Sequence, residues 1–290
     1  MTQREFESRW LDVSCGYGGF SYLIVGNEKT ALFETGMAYG GEGLVKRLRQ
    51  ALGGRKLDYI LLSHSHYDHA GGLTAVRHAF PGAVPVGSAY GAKVLRKESV
   101  RDFFASMSRT AQRQLLGKYQ PFPFWPELLD IGLTVGDGDT LSLGGLTVEV
   151  VETPGHTHCS LSYFLREPGV LLASESLGIH LGDEVMPVCL TSGREMVRSV
   201  EKCRVLPVKG IYHPHQQVVW GEACEAFFEL ARRAPRKWRE MLQPLEARGM
   251  ELEQMVQWLW EHYGPRCKGQ PKEAFFINAR HIIPTLLEDR

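Results

Sequence analysis

The sequence lacks any long apolar run: no stretch of about 18 consecutive apolar residues occurs in the chain. It also lacks an excess of charge of one sign, because Lys plus Arg and Asp plus Glu both number 33. We therefore expect neither a membrane nor a nucleic acid as a partner. The stretch MTQREFESRW at the amino terminus is charged and has no apolar run behind it, so we expect a cytoplasmic protein.

Closely spaced cysteine pairs are also missing. The six cysteines show neither CxxC nor zinc-finger spacing, which fits reduced thiols better than a disulfide framework. The chain nevertheless has enough apolar material for a large core, with 43% hydrophobic residues in 290. It can fold as one large domain or as a domain with an appendage.

Short apolar runs alternate with amphipathic or turn-rich stretches over the first two thirds of the chain. Residues 21–25, 30–34 and 59–62 predict strands, and strand patterns recur in quick succession over 139–173. Residues 98–127 begin with a helical pattern and end in the aromatic run PFPFWP, so we interpret them as an insertion.

The pattern changes to helix from Glu222 onward. Apolar residues then recur at helical spacing, as in Leu252, Met255, Val256 and Leu259. We therefore predict a main domain over residues 1–220, which contains the insertion, and a helical C-terminal extension over 221–290. We favour packing against the main domain as the role of this extension, and a direct role in shaping a pocket is the alternative.

The stretch HSHYDH, residues 64–69, follows a short apolar strand and carries three imidazoles and a carboxylate. In an extended backbone the side chains of His64 and His66 leave on the same side, which suits chelation of a metal ion. Asp68 and His69 follow where the chain turns into a helix, and they could serve a second ion. Unliganded, such a cluster would cost repulsion or desolvation, so we predict a metal site.

Three further strand ends carry groups of the same kind. The run TPGHTH ends a strand and supplies His156 and His158, and the run LLASES delivers Glu175. The run IYHPH ends in His213 and His215. Loops at strand ends commonly carry binding and catalytic residues.

These four elements, in this order, resemble the metallo-β-lactamase superfamily, whose members show HxHxDH, then Gly-His, then an acidic residue and then a final His. The resemblance extends over roughly residues 15–220. It implies an α+β fold, an αββα four-layer sandwich with metals in a cleft along one sheet edge. The insertion and the helical tail are similar to the branch of thioesterases and glyoxalase II-like enzymes, which includes the quinolone-signal response protein.

The resemblance also implies the ligands of two divalent metal ions. The first ion would be bound by His64, His66 and His156. The second ion would be bound by Asp68, His69 and His215, and Glu175 would bridge both ions. Zinc comes first among the metals, and iron or manganese also suit these donors. The choice of His215 over His213 rests on aligning HPHQ with the family's PGHG, and His213 is expected to play a supporting role.

Glu175 departs from the family pattern, which normally has Asp at this position. Because Glu is one methylene longer, either the strand end retreats or the bridge changes, and a weakened second site or a single ion stays open. His158 stands where relatives commonly carry proline, and His180 follows a few residues past Glu175. Both could face the substrate, although an ordinary loop position is the favoured interpretation.

Such a centre would hydrolyse a carbonyl compound. A bound divalent ion with an open position lowers the pKa of water to about 7, and Asp68 could orient the attacking hydroxide. Tyr67 or His158 could protonate the leaving group. We expect a thioester or related carbonyl ester with an apolar acyl or aromatic part, held by aromatic residues of the insertion: Phe103, Phe104, Phe122, Phe124 and Trp125.

Two alternatives stay open. A lactonase needs the same centre and an apolar pocket, so comparing rates on lactones and thioesters would separate the two enzymes. A regulatory or binding protein could keep the fold while its hydrolysis is incidental. An oxidoreductase of the flavodiiron kind is less expected, because the sequence has no flavodoxin-like domain. The sequence does not decide whether the chain forms a homodimer.

Overall fold

Two six-stranded sheets form the centre of the molecule, in a computed structural model that describes residues 6–16, 19–215, 218–267 and 270–289. The first sheet has the strand order β1-β2-β3-β4-β5-β6. Its strands are β1 Trp10–Asp12, β2 Tyr22–Val25, β3 Thr30–Phe33, β4 Tyr59–Leu61, β5 Val84–Gly87 and β6 Leu133–Thr134.

The second sheet has the strand order β14-β13-β10-β9-β8-β7, and a separate hairpin pairs β11 with β12. The strands are β7 Thr140–Ser142, β8 Thr147–Glu152, β9 Leu161–Leu165, β10 Val170–Leu172, β11 Ile179–His180, β12 Val185–Met186, β13 Gly210–Tyr212 and β14 Val219–Trp220.

Nine α-helices lie among the described residues. They are α1 Gly41–Leu52, α2 Tyr67–Ala70, α3 Leu73–Ala79, α4 Ala89–Leu95, α5 Glu98–Leu116, α6 Gly193–Arg204, α7 Glu222–Ala247, α8 Leu252–Tyr263 and α9 Lys272–Glu288. Short 3₁₀ helices cover Ala38–Gly40, Pro126–Leu128, Glu175–Leu177 and Gly264–Arg266. None of the helices described is long and apolar enough to cross a membrane.

The core is divided into layers because successive strand residues point to opposite faces of a sheet. Phe33 of β3 faces the second sheet and packs in one core with Tyr163 of β9. Leu32, the preceding residue, lies instead in a core with α1 and α3. Leu171 of β10 faces outward in the same way and packs with α6 and α7. The layers are therefore helix, sheet, sheet and helix, and the predicted αββα sandwich is confirmed.

Strand direction brings the ends of β8, β10 and β13 to one edge of the second sheet. β9 runs antiparallel to both β8 and β10, and β13 runs parallel to β10. These three strands therefore share a direction, and their carboxyl ends lie at the same edge. In the first sheet, β3, β4 and β5 are likewise parallel to one another. The loops after β4, β8, β10 and β13 carry the groups that the sequence singled out.

The C-terminal helices have a core of their own, in which Trp238 of α7, Leu259 of α8 and Ile283 of α9 are buried together. The β11–β12 hairpin joins this core through Ile179 and Met186. The helical extension that the sequence predicted is thus present. Its apolar residues pack mainly in this core, and those at the start of α7 pack against α6 and the second sheet.

Candidate metal centre

The HSHYDH segment leaves β4 in extended backbone and then enters α2. His66 stands immediately before α2 with φ −87° and ψ 154°. Its Nδ1 atom lies 3.0 Å from Nε2 of His64, so the two rings do converge. Asp68 and His69 follow in the first turn of α2. The change from strand to helix geometry within six residues directs the two pairs to different places.

Four residues form a first cluster of potential metal ligands, namely His64, His66, His156 and Glu175. The Nε2 atom of His156 lies 3.1 Å from Nδ1 of His66 and 2.7 Å from Oε2 of Glu175. Nε2 of His64 lies 3.6 Å from the same carboxylate oxygen. Residues from both sheets therefore meet at one point.

Three residues form a second cluster, namely Asp68, His69 and His215. The Nε2 atoms of His69 and His215 lie 3.1 Å apart. Oδ2 of Asp68 lies 3.8 Å from the first of these nitrogens and 3.6 Å from the second. The ligand atoms again converge, although Asp68 and His215 are less buried than His69.

The Glu175 carboxylate reaches both clusters. Its Oε2 atom is in the first cluster, whereas its Oε1 atom lies 3.0 Å from Nε2 of His215. The backbone allows this reach because β10 ends at Leu172 and Glu175 opens a 3₁₀ helix, which is preceded by the capping residue Ser174. Glu175 thus lies three residues past the strand end, and its side chain spans between the two clusters.

The atoms that the two clusters offer fit divalent metal ions. Imidazole nitrogens and carboxylate oxygens are common ligands of zinc and other transition metals. Around a tetrahedral ion, ligands at about 2.1 Å from the metal are about 3.4 Å from one another. Within each cluster the ligand atoms lie within 4.8 Å of one another, and the pairs given above lie between 2.7 and 3.8 Å apart. Only small movements would close either cluster around an ion.

Hydrogen bonds at the remote ring nitrogens orient two of these imidazoles. Nδ1 of His156 donates to the carbonyl oxygen of Val188 at 2.6 Å, which leaves Nε2 as the atom facing the cluster. Nδ1 of His64 lies 2.8 Å from Oγ of Ser63. Such outer contacts fix the ring orientation and the tautomer of a metal-binding histidine.

Glu34 orients His69 in the same way, and sequence reasoning missed this residue. Its buried Oε2 atom accepts from Nδ1 of His69 at 2.9 Å, and its Oε1 atom accepts from the backbone N–H of Ser63 at 2.6 Å. Glu34 has a φ of 62°, the only positive value at a non-glycine residue among those described. A carboxylate directly after an apolar strand was the available signal, but the pattern assigned Glu34 to the strand itself.

The protonation states also suit metal binding. Burial holds the pKa of His64 well below its usual value and lowers the pKa of His66 to about 3. Burial alone would raise the pKa of Glu175, but His156 and His215 hold it well below its usual range. Neutral imidazoles and ionised carboxylates are the forms that bind metal ions.

His69 differs from the other imidazoles. Burial alone would lower its pKa, but the charges of Asp68 and Glu34 outweigh this effect and raise the pKa to about 10. The negative charge around the second cluster is therefore enough to hold a proton on His69. A divalent cation would face the same favourable field.

A cavity of about 410 Å³ opens beside both clusters. His66, Asp68, Glu175 and His215 line one end of it, together with Tyr67. Two helices contribute to its walls, through Phe103 and Met107 of α5 and Ala274, Ile277, Asn278 and His281 of α9. The expectation that the tail serves mainly to pack against the main domain was therefore incomplete, because one face of α9 lines the cavity.

Phe103 alone among the five aromatic residues expected to wall the pocket lies along this cavity. Phe104 is buried in the core against the first sheet, and Phe124 and Trp125 pack against that core from outside. Trp125 stacks on the ring of His78 at 4.0 Å instead. Phe122 is also absent from the cavity lining. The aromatic run after α5 therefore packs the insertion down onto the domain.

Three histidines that the sequence singled out lie outside both clusters. His158 is exposed in a separate hollow and contacts the ring of Tyr90. His180 contacts the ring of Phe227 edge-on. His213 is buried, and its Nε2 atom has no hydrogen-bond partner among the described residues. Burial lowers the pKa of His213 to about 3.

Comparison with known proteins gives one family over most of the chain. The family model described as "Metallo-beta-lactamase superfamily" matches residues 16–219. Coenzyme F420H(2) oxidase of Methanothermobacter marburgensis is 30% identical over 166 residues, which are 56% of this chain and 35% of that protein. Hydroxyacylglutathione hydrolase of Aeromonas hydrophila is 31% identical over 122 residues, which are 42% of this chain and 34% of that protein. The chain therefore aligns with only about a third of each of these two relatives.

The solved structures agree on the fold. A metallo-beta-lactamase family protein from Thermus thermophilus superposes with a TM-score of 0.61 at 22% identity, over 94% of this chain and 90% of that one. At this identity the likeness establishes the fold alone. It extends into the helical tail, because the coverage exceeds the part that the family model matches.

Proposed function

Because the chain belongs to the metallo-β-lactamase superfamily, we propose that it is a metal-dependent hydrolase of thioesters or related carbonyl esters. The observation that carries the proposal is the pair of ligand clusters joined by Glu175 at the end of a largely apolar cavity. The hydroxyacylglutathione hydrolase among the relatives supports hydrolysis in particular. The oxidase among them makes redox chemistry the rival to be tested.

The centre would hold two divalent ions, with zinc as the first choice. His64, His66 and His156 would bind one ion, Asp68, His69 and His215 would bind the other, and Glu175 would bridge them. Ions in such sites supply Lewis acidity toward a carbonyl oxygen and a nucleophilic water near neutral pH. Glu34 would keep the second cluster in order through its hydrogen bond to His69.

The reaction would be a hydrolysis in which water adds to the carbonyl carbon and the carbon–sulfur bond breaks. The products are a carboxylic acid and a thiol, and the departing sulfur takes up one proton of the attacking water. Asp68 borders the cavity at the second cluster, so it would orient the attacking water. Tyr67 also borders the cavity, and burial and the nearby Asp68 raise the pKa of its phenol well above the usual value. Tyr67 would therefore stay protonated and available to the leaving group.

The test is steady-state hydrolysis of a panel of acyl-CoA thioesters by the metal-loaded protein. We expect turnover that a chelator abolishes and that added zinc restores. Hydrolysis of lactones at higher kcat/KM than any thioester would favour the lactonase. Failure to hydrolyse any thioester or ester would contradict the proposal.

Two further outcomes identify the other rivals. Consumption of oxygen with a reduced cofactor, together with bound iron, would favour an oxidase. A regulatory or binding protein would keep its cellular role in a His66→Ala variant that has lost its metal. Under our proposal that variant loses both the metal and the role.

A further inference from the structure

The described part of the cavity lining contains no Lys or Arg side chain. The two carboxylates of this lining, Asp68 and Glu175, belong to the ligand clusters. Away from the ligand clusters, a negatively charged substituent would lose its hydration and would meet no Lys or Arg among these described residues. The structure therefore favours an uncharged group in this part of the cavity.

Two apolar side chains on different helices remain unusually exposed beside the cavity. Phe103 of α5 has a relative exposure of 50%, and Ile277 of α9 has a relative exposure of 40%. Both border the cavity, and Phe103 also packs edge-on against the ring of Tyr67. These side chains provide apolar contact area for a ligand that extends from the clusters toward solvent.

α9 separates its packing face from its cavity face. Its buried residues, Phe275, Ala279, Ile282, Ile283 and Leu286, lie in the core of the tail. Its cavity residues, Ala274, Ile277, Asn278 and His281, recur at i, i+3, i+4 and i+7 and so share another face. The cavity face is mixed in polarity, which packing against the tail core does not require.

Gln270, just before α9, adds a buried hydrogen-bond acceptor to the same wall. Its side chain borders the cavity, and its Oε1 atom is buried without a hydrogen-bond partner among the described residues. A buried carbonyl oxygen without a donor destabilises the protein, so a site of this kind favours a ligand that supplies one. A hydroxyl or an N–H group on the ligand would do so.

We propose that the cavity face of α9, together with Gln270, selects an uncharged acyl group that is mainly apolar and carries one hydroxyl or N–H donor to Oε1 of Gln270. This inference rests on the proposed function, because it names the acyl class of the thioester or ester that is cleaved. The charged carrier of such a substrate would remain outside the cavity, since its phosphates or carboxylates would meet no Lys or Arg among the described residues of the lining.

The test compares CoA thioesters of equal chain length that differ in one group. The probes are hexanoyl-CoA, its β-hydroxy and ω-hydroxy derivatives, and adipoyl-CoA, which ends in a carboxylate. We expect one of the hydroxylated substrates to exceed hexanoyl-CoA in kcat/KM by roughly tenfold, the factor that a net hydrogen-bond gain of about 1.4 kcal/mol gives. Adipoyl-CoA should be the poorest of the four. Equal rates on the hydroxylated and plain substrates would overturn the inference.

Variants at Gln270 assign the preference to this residue. Gln270→Leu should bring the hydroxylated and plain substrates to the same kcat/KM, whereas Gln270→Glu, which retains an acceptor oxygen, should keep the preference. Gln50→Leu, at an exposed position of α1, is the matched control and should behave as the wild type. A preference that survives in Gln270→Leu would contradict the assignment.

A binding measurement separates this inference from the proposed function. Calorimetry with hexyl-CoA and hydroxyhexyl-CoA thioethers, which cannot be hydrolysed, reports recognition without turnover. Hydrolysis of the hydroxylated and plain thioesters at equal rates would contradict this inference and leave the proposed function standing. Tighter binding of the hydroxylated thioether by a protein that cleaves no thioester would instead sink the proposed function while supporting the recognition.

Discussion

The two ends of the cavity are built in opposite ways. At the cluster end, each side chain follows a strand end, and His64, His69 and His156 are held at their remote nitrogens by groups of the protein. At the α9 end, the lining comes from a helix face that leaves Ile277 partly exposed. Under the proposed function, the chemistry is fixed by rigid elements, whereas selectivity depends on the cavity face of α9, which single substitutions can change without disturbing the clusters.

Replacing His66 by Ala should produce the largest effect. Its Nδ1 atom lies within 3.1 Å of ligand atoms on His64 and His156, so its loss opens the first cluster. We expect hydrolysis to fall by roughly a thousandfold, which corresponds to about 4 kcal/mol of transition-state stabilisation. Activity assays and metal analysis check this result. His262→Ala, on the exposed side of α8, is the control and should retain both.

Replacing Glu34 by Gln should affect one cluster and spare the other. The variant loses the charged acceptor that orients His69, while His64, His66 and His156 keep their contacts. Loss of such an outer partner typically costs 10–100-fold in metal affinity or activity. Titration with zinc should therefore show that the affinity for one ion falls by that factor while the affinity for the other is unchanged. Equal weakening of both ions would mean that Glu34 acts through the fold instead.

Changing the wall should alter substrate binding and leave the clusters intact. Ile277→Asp introduces a negative charge at the apolar opening of the cavity, where none of the described lining residues is Lys or Arg. We expect KM for an uncharged acyl thioester to rise by roughly tenfold while metal content stays the same. Val205→Asp places the same charge at an apolar residue that is 80% exposed elsewhere, and its KM should not change. Loss of metal in Ile277→Asp would contradict this prediction, because it would show that the α9 end of the cavity and the ligand clusters are not independent.

The smallest effect is expected outside both ends, on the outer side of α7. There Arg232 and Arg233 hold the pKa of Glu229 at about 2, mainly through a hydrogen bond from Arg232, against 4.5 without partners. Because the pKa is depressed on folding, the stabilisation is complete above about 4.5 and is lost as the pH falls toward about 2. The midpoint temperature of thermal unfolding of Glu229→Gln should lie below that of the wild type at neutral pH. The two temperatures should lie closer together at a pH of about 3. Metal content and KM should not change, and a constant gap across this pH range would contradict the assignment.

The same contrast decides how much the sequence could predict. The residues of HSHYDH could be identified from the sequence because packing does not commonly place four metal-binding side chains in six positions. The strand ends at His156, Glu175 and His215 follow from the fold that this motif implies. Glu34 was not readable, since one carboxylate after an apolar strand looks like the end of the strand. Only the hydrogen bond to His69 distinguishes it.

The cavity face of α9 was harder to predict, because a helix face toward a cavity and a helix face toward solvent can have the same sequence pattern. Ile277, Asn278 and His281 have the mixed polarity of an ordinary exposed surface. The opposite error arose at Trp125, where aromatic content suggested a pocket and the ring stacks on His78 instead. Which surface a mixed or aromatic stretch meets depends on tertiary packing, which local patterns do not encode.

The central claim is that Glu175 joins the two clusters into one centre for two ions. Equilibrium dialysis against zinc, followed by metal analysis of the wild type and of Glu175→Ala, tests this claim most directly. We predict two ions per chain in the wild type and a loss of at least one of them in the variant, because the carboxylate contributes an oxygen to each cluster. A wild type that saturates at one ion, or a variant that still binds two with unchanged affinity, would contradict the account.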